Sequence, residues 1–224
     1  QNKFAEALKF HFRALESQQR IVGTAHPEVA STLNSIALVY HSQLKSEEAM
    51  RYYNMALDIR INALGEHHPE VADVCNNIAT LYQLDNKLEE AEYYFSLDLD
   101  ITRRTMGEDH PDYASTLNNI AVVYDTQGKH NLALEHYRKA LDIRRCALGE
   151  DHPHVGTSLY NIAVLLQSHR AEHLEEALSA AETALCIWTK SLGPDHADTL
   201  DAQNLVTSLR EDANNLNLLP QQEA

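Results

Sequence analysis

The stretch "GEDHPDYASTLNNIAVVYDTQGKH" (residues 107–130) contains five polar side chains that could belong to a reactive site. Glu108, Asp109 and His110 have the residue types of a metal or acid/base cluster, and Asn118 and Asn119 form an adjacent pair of amides. Alternatively, the stretch is one copy of a structural unit. The rest of the chain distinguishes these interpretations, because structural units recur at a fixed period.

The tetrad Gly-x-x-His recurs five times, at steps of 42, 42, 42 and 44 residues. The tetrads begin at Gly23, Gly65, Gly107, Gly149 and Gly193. Proline follows the histidine in the first four copies, and Ala197 replaces it in the fifth. A period of this length predicts a stack of similar supersecondary units.

Apolar positions between the tetrads keep the same register. The aligned sets are Leu33, Cys75, Leu117 and Leu159; Ile36, Ile78, Ile120 and Ile162; Ala37, Ala79, Ala121 and Ala163; Tyr40, Tyr82, Tyr124 and Leu166; and Ala7, Ala49, Ala91, Ala133 and Ala177. The first four sets follow the i, i+3, i+4, i+7 spacing of one helix face. Each unit therefore predicts a first helix opened by His-Pro, a short polar turn, and a second helix ended by Gly.

Composition narrows the function classes. The 224 residues carry a net charge of −15, which argues against nucleic acid, whose phosphates are bound by clustered Lys and Arg. The charge is consistent either with solubility alone or with selection for basic partners. No apolar run has the length of a membrane span. Three cysteines without a CxxC pair indicate a reducing compartment with no disulfide framework and no zinc site.

The acidic pair before His110 is not maintained in the repeat. Only Glu150-Asp151 reproduces it, and the other tetrads carry Thr-Ala, Glu-His and Pro-Asp in its place. A metal needs several ligands around one ion, so we predict that these loops connect helices and hold no metal. No nucleophile–base pairing, phosphate-binding loop or dinucleotide fingerprint is present, so we predict no enzymatic activity and no cofactor.

The pattern Leu-x-x-Ile-Ala-x-x-Tyr, followed by Ala and an aromatic residue, resembles the tetratricopeptide repeat (TPR) over nearly the whole chain. The 42-residue period and the "LGEDHPDYASTLNNIAVVYDTQGKH" unit are similar to the longer repeat of kinesin light chains, a variant that other scaffold proteins share. The resemblance implies an all-α fold, a right-handed superhelical solenoid of antiparallel helix pairs.

The repeat boundaries predict one solenoid over residues 1–212. Residues 1–22 match only the second helix of a truncated repeat, and residues 193–212 match a capping first helix. The complete repeats cover residues 23–64, 65–106, 107–148 and 149–192, and residues 213–224 form a tail. The two-residue insertion of the fourth repeat falls in its inter-helix turn.

In a TPR superhelix the first helices line a concave groove, so the resemblance places one row of side chains from each first helix there. The predicted groove residues are Asn34, Leu38, His41, Asp73, Asn76, Thr80, Gln83, Asn118, Val122, Asp125, Tyr160, Val164, Gln167 and Asn204. In kinesin light chains the matching asparagines contact cargo peptides, a role carried here to Asn34, Asn76, Asn118 and Asn204. These amides could instead only join neighbouring repeats. The companions Ser35, Asn77, Asn119 and Asn161 are expected to bond to a neighbouring helix.

Three other positions leave alternatives open. Tyr160 interrupts the asparagine row and either stacks on a ligand or packs against its neighbour. Trp188 is either a partner contact or covered by the tail. Asp98 replaces an alanine that packs the helix pair, so its carboxylate needs a partner, for which Arg51 and a nearby Asn are candidates.

The predicted groove contains Asp73 and Asp125 but no Lys or Arg, which favours a neutral or basic peptide over the acidic motifs of kinesin light chain cargo. We therefore expect a non-enzymatic module that binds an extended peptide or helix. Its most specific form is a kinesin light chain-like cargo adaptor, cytoplasmic and associated with the cytoskeleton, meeting kinesin heavy chain through regions outside these residues. The alternative is a structural, scaffolding or regulatory segment of a larger multidomain protein.

Overall fold

The computed structural model describes residues 2–169 and 173–215, and all regular structure in these ranges is helical. The helices are α1 (Asn2–Val22), α2 (Pro27–Ser42), α3 (Ser46–Leu64), α4 (Pro69–Leu84), α5 (Leu88–Thr105), α6 (Pro111–Thr126), α7 (His130–Leu148), α8 (Pro153–His169), α9 (Leu174–Ser191) and α10 (Ala197–Asn215). The predicted all-α fold is confirmed. Not one described helix is long and apolar enough to cross a membrane.

The helices pack as the four predicted pairs, α2 with α3, α4 with α5, α6 with α7 and α8 with α9. Helix α1 packs on α2, and α10 packs on α9. The chain divides into two compact units between Glu108 and Asp109, so α1–α5 form one unit and α6–α10 the other. Helix α10 continues past the predicted end at residue 212, and Ala213 is buried. The insertion turn at residues 170–172 and the tail from residue 216 lie outside the described residues.

A histidine caps the N-terminus of each first helix. In α2, α4 and α6 the cap residue has extended backbone angles, and its Nδ1 accepts a hydrogen bond from the amide two residues later. The same bond occurs at His152 and His196, and the five distances are 3.2–3.3 Å. Proline follows the cap in α2, α4 and α6, where no intrahelical amide partner is needed. The predicted His-Pro start of each first helix thus includes a side-chain cap from the histidine, which the sequence analysis did not specify.

The repeated apolar positions form the core of both units. The aligned leucine/cysteine, isoleucine and alanine sets of the first helices are all buried, and Ala49, Ala91, Ala133 and Ala177 of the second helices are fully buried. These small residues allow the paired helices to approach closely. Tyr40 and Tyr82 remain half-buried.

Each half-buried or buried tyrosine at this position is held by two neighbours, an arrangement we name the tyrosine clamp. A lysine ammonium lies over the tyrosine ring, and an aromatic ring of the second helix packs against it. The sets are Lys45, Tyr40 and Tyr52; Lys87, Tyr82 and Tyr94; and Lys129, Tyr124 and His136. The lysine-to-centroid distances are 5.8, 5.7 and 5.2 Å, within the range of a cation–π contact.

Candidate functional site

The predicted groove residues of each unit lie on first helices that are joined by asparagine pairs. In the first unit the Asn77 amide donates to the Asn34 carbonyl oxygen at 3.1 Å, linking α4 to α2. In the second unit Asn161 donates to Asn118 at 3.2 Å, linking α8 to α6. The expectation that the companions Asn77 and Asn161 bond to a neighbouring helix is confirmed. Ser35 instead donates to the Ser31 carbonyl of its own helix, so that expectation was wrong there.

The predicted groove residues differ widely in exposure. Leu38, Asp73, Val164 and Asn204 are exposed, and Asn118 is buried with only 6% of its surface accessible. The intermediate residues are Asn34, His41, Asn76, Thr80, Gln83, Val122, Asp125, Tyr160 and Gln167. A ligand would therefore reach Leu38 and Val164, each at the central position of its row, more readily than the Asn118 amide.

Asn76 is hydrogen-bonded to Asp98, the α5 carboxylate that replaces a packing alanine. Its Nδ2 donates to Asp98 Oδ2 at 2.7 Å, and Thr102 Oγ1 donates to the other carboxylate oxygen at 2.9 Å. Asp98 is 4% exposed, whereas Arg51, the other candidate partner, is exposed. The nearby-Asn alternative is therefore confirmed. Because a buried carboxylate must be hydrogen-bonded, Asn76 has a structural task as well as a predicted binding one.

The last residue of three of the rows contacts a neighbouring helix. His41 Nδ1 lies 3.3 Å from the Tyr53 hydroxyl, and burial lowers the pKa of His41, although Asp85 acts in the opposite direction. Asp125 pairs with His130 at 2.7 Å.

The Gln167 amide donates to Ser208 at 2.9 Å and to Asp212 at 3.2 Å, which fastens α10 to α8. This end of the second unit's row is therefore occupied by contacts to the capping helix.

Tyr160 packs against Trp188, with ring centroids 5.4 Å apart. Burial raises the pKa of Tyr160, and the carboxylates of Asp201 and Asp198 add to the rise. Trp188 is itself buried, and its Nε1 donates to the Pro153 carbonyl at 3.0 Å. The indole thus packs within its own repeat, which neither of the alternatives drawn from the sequence anticipated.

Comparisons with known proteins agree with this geometry. Two family models described as tetratricopeptide repeat match, one over residues 1–62 and 76–146 and the other over residues 155–198. The chain belongs to the tetratricopeptide repeat family. A search of curated proteins found no match.

Several solved structures share the fold at low sequence identity. BtubC (BKLC) from P. vanneervenii is 19% identical, with a TM-score of 0.71, 99% of this chain covered and 96% of that chain. The nearly identical TPR-like repeats of a kinesin light chain-like protein from Podosopora anserina are 21% identical, with a TM-score of 0.70, 85% of this chain covered and 89% of that chain. At these identities the likeness establishes the fold.

Two buried arginines join consecutive TPRs, a role that the sequence pattern did not reveal. Arg60 donates to the Glu70 carbonyl of the next repeat and to Ser31 of its own. Arg144 donates to the His154 carbonyl and Ser158 hydroxyl of the next repeat. Arg60 lies in α3 and Arg144 in α7, each toward the C-terminal end of its helix. Their occurrence in the same register, two repeats (84 residues) apart, was the signal that could have identified them.

The residues that the sequence offered as metal ligands or catalytic groups lie in separate environments. Glu108 and Asp109 are exposed, and the Nδ1 atom of His110 caps α6. Among the described residues, no three His, Cys, Asp or Glu side chains are placed to hold a metal ion. Cys75 is buried, and burial followed by the Asp98 charge raises the pKa of its thiol to about 12, which keeps it protonated.

Proposed function

We propose that the chain is a protein–protein interaction module that binds an extended peptide or a helix along its first helices. The observation that carries the proposal is the central position of the rows, where an apolar or small side chain faces outward in every complete repeat. Leu38 is 42% exposed and Val164 is 36% exposed, while Thr80 and Val122 are partly accessible. Within each unit two such positions stand on neighbouring first helices between polar residues, which suits a ligand with side chains at matching intervals.

The charge of the rows favours a neutral or basic ligand. The rows contain Asp73 and Asp125 without Lys or Arg, and Asp198 and Asp201 lie near enough to raise the pKa of Tyr160. An acidic peptide would meet like charges here, whereas a peptide with Lys or Arg beside apolar residues would find complementary ones.

The finer form of the proposal is a kinesin light chain-like cargo adaptor that associates with the cytoskeleton in the cytoplasm. It is supported by the 42-residue period and by the kinesin light chain-like solved structure with the same fold. Co-purification of the full-length protein with kinesin heavy chain tests this form. A full-length protein that binds peptides but no heavy chain would leave the general module and remove the adaptor.

The groove is best tested at exposed row residues, because Asn76 and Asn118 also hold the fold together. We propose selecting peptides from a random library on the wild-type protein and measuring their affinity by fluorescence anisotropy. At least one of the Leu38→Arg and Val164→Arg variants should weaken binding about tenfold or more, since an apolar contact becomes a charge.

Met55→Arg provides the matched control. Met55 lies on the second helix α3 and is 39% exposed, close to the value for Leu38. Its substitution should change the affinity less than about twofold. Equal losses in all three variants, or no loss in the row variants, would place the binding surface away from the first helices.

A further inference from the structure

The second unit contains a cavity of about 390 Å³ between the second helices α7 and α9, here named the α7/α9 cavity. Its apolar floor is formed by Leu141 of α7 and by Leu159 and Ile162 of α8, which are otherwise buried. The α9 wall contributes the small side chains of Ala180 and Thr183. None of the predicted groove residues is among the described residues that line this cavity, so it is a separate surface from the first-helix rows.

The repeat register shows why this space is open. In the first unit, Tyr94 and Leu97 of α5 pack against the buried cluster that includes Cys75. When the two-residue insertion is counted, Ala180 aligns with Tyr94 and Thr183 aligns with Leu97. Both residues of the second unit are smaller than their counterparts. The cavity therefore lies where the first unit places an aromatic ring and a leucine of its own.

The fourth repeat also lacks the tyrosine clamp. Leu166, His173 and Ala180 stand at the positions of the clamped tyrosine, the lysine and the second-helix aromatic ring. In each of the three preceding repeats, an aromatic ring at the Ala180 register packs against the clamped tyrosine. A ring that entered from outside would therefore take a place that the other complete repeats fill from within.

The charged residues around the α7/α9 cavity favour a cationic neighbour for that ring. Arg138 of α7 donates to Glu176 of α9, and Arg145 Nε lies 2.9 Å from a carboxylate oxygen of Glu150. Asp142 lies between these arginines on α7 and also lines the cavity. It is exposed and makes no hydrogen bond or ion pair with another described residue. Both guanidinium groups thus have carboxylate partners already, and the Asp142 carboxylate can accept a cation from a ligand.

We propose that the α7/α9 cavity binds an aromatic side chain of another protein that carries a lysine or arginine next to it. The ring covers the apolar floor formed by Leu141, Leu159 and Ile162, which removes that surface from water. The neighbouring cation pairs with Asp142. This site goes beyond the binding proposed along the first helices, and each of the two can fail without the other.

A short peptide provides the probe for this site. Acetyl-Ser-Tyr-Lys-Ser-amide is titrated into the intact protein, and methyl NMR follows Ala180 and the three apolar floor residues. We expect saturable shifts at these methyl groups with a dissociation constant on the order of millimolar, as suits so small a ligand. Replacing the tyrosine of the peptide by serine should weaken binding about tenfold or more, since the ring supplies most of the apolar contact. Replacing its lysine by glutamate should weaken binding about threefold or more.

Variants of the protein test the two halves of the proposal separately. The Ala180→Tyr, Thr183→Leu double variant restores the side chains of the first unit and should abolish binding by filling the space. Asp142→Asn should remove most of the preference for lysine over glutamate in the peptide, while the ring contact remains. Ala147→Tyr, at an exposed alanine of α7, is the matched control and should bind the peptide like the wild type. Circular dichroism checks that each variant keeps its helix content.

Leu38→Arg protein should bind this peptide like the wild type, which separates the α7/α9 cavity from the first-helix rows. Absence of saturable shifts at the cavity methyl groups, or equal binding by the double variant, would overturn the proposal. So would a gain of about tenfold in affinity on removal of residues 216–224, because the occupant would then be the chain's own end. Cavity shifts that depend on protein concentration without peptide would also overturn it, in favour of a second copy of the chain.

Discussion

The hydrogen bond between Asn76 and Asp98 predicts a strong energetic coupling between these residues. Asp98 stands where Ala14, Ala56, Ala140 and Ala184 occupy the other second helices, and its buried carboxylate accepts from the Asn76 amide at 2.7 Å. Asn76→Ala should lower the free energy of unfolding by about 2–3 kcal/mol, because a bond to a charged acceptor is lost and the carboxylate remains buried. Asp98→Ala restores the residue of the other repeats and should cost less than about 1 kcal/mol.

A double-mutant cycle isolates the coupling. In the Asp98→Ala background, Asn76→Ala should cost less than about 1 kcal/mol, leaving an interaction energy of about 1 kcal/mol or more. Urea unfolding followed by circular dichroism supplies the four free energies. The single variant Asn34→Ala is a positional control. Asn34 aligns with Asn76, and Ala56 occupies the position that aligns with Asp98. An interaction energy below about 0.5 kcal/mol would refute the view that Asn76 stabilises the buried carboxylate.

Three further predictions concern single sites. A Cβ at Gly156 would lie 2.7 Å from Trp188 Nε1, so Gly156→Ala should destabilise by about 1–3 kcal/mol in urea unfolding, and Trp188→Leu should remove most of that cost; equal costs in both backgrounds would contradict the steric cause. The Cys75 thiol has its pKa raised from 9.0 to about 12 by burial and by Asp98, so the folded state holds this proton when the unfolded state has lost it. Stability should therefore fall by about 1.4 kcal/mol per pH unit between those values, and Cys75→Ala should flatten the decline measured in unfolding at pH 8 to 11. His110→Ala should lose about 1 kcal/mol in thermal or urea unfolding through loss of the α6 cap, whereas His110→Asn should retain it; identical losses would assign the effect to something other than capping.

The sequence predicted the helices well because the repeat supplies the same pattern several times. The Ile-Ala spacing and the His-Pro starts reproduce α2, α4 and α6, and the glycines after α3 and α7 have the positive φ of about 90° that other residues adopt at a cost. A helical period identifies which face is apolar, so the buried Ile and Ala sets were predictable from one register.

Bonds across helices were harder to predict from the same pattern. The period gives no orientation for an amide, so the sequence left open whether Asn118 contacts a ligand or joins neighbouring repeats. The structure shows that Asn118 is buried and accepts from Asn161, 43 residues away. Likewise, Trp188 stands where the other second helices have Arg60, Thr102 and Arg144, a pattern that does not predict its bond to the Pro153 carbonyl beside Gly156. The Gly at position 156, where other first helices have Ala, was the sequence signal for that contact.

The central claim is that a peptide binds at the exposed central positions of the first-helix rows, represented by Leu38 and Val164. Isothermal titration of one library-selected neutral or basic peptide into wild-type, Leu38→Arg, Val164→Arg and Met55→Arg protein tests it most directly. The account predicts that at least one row variant loses about tenfold or more in affinity while Met55→Arg stays within about twofold of wild type. Unchanged affinity in both row variants, with all four proteins equally helical, would contradict it.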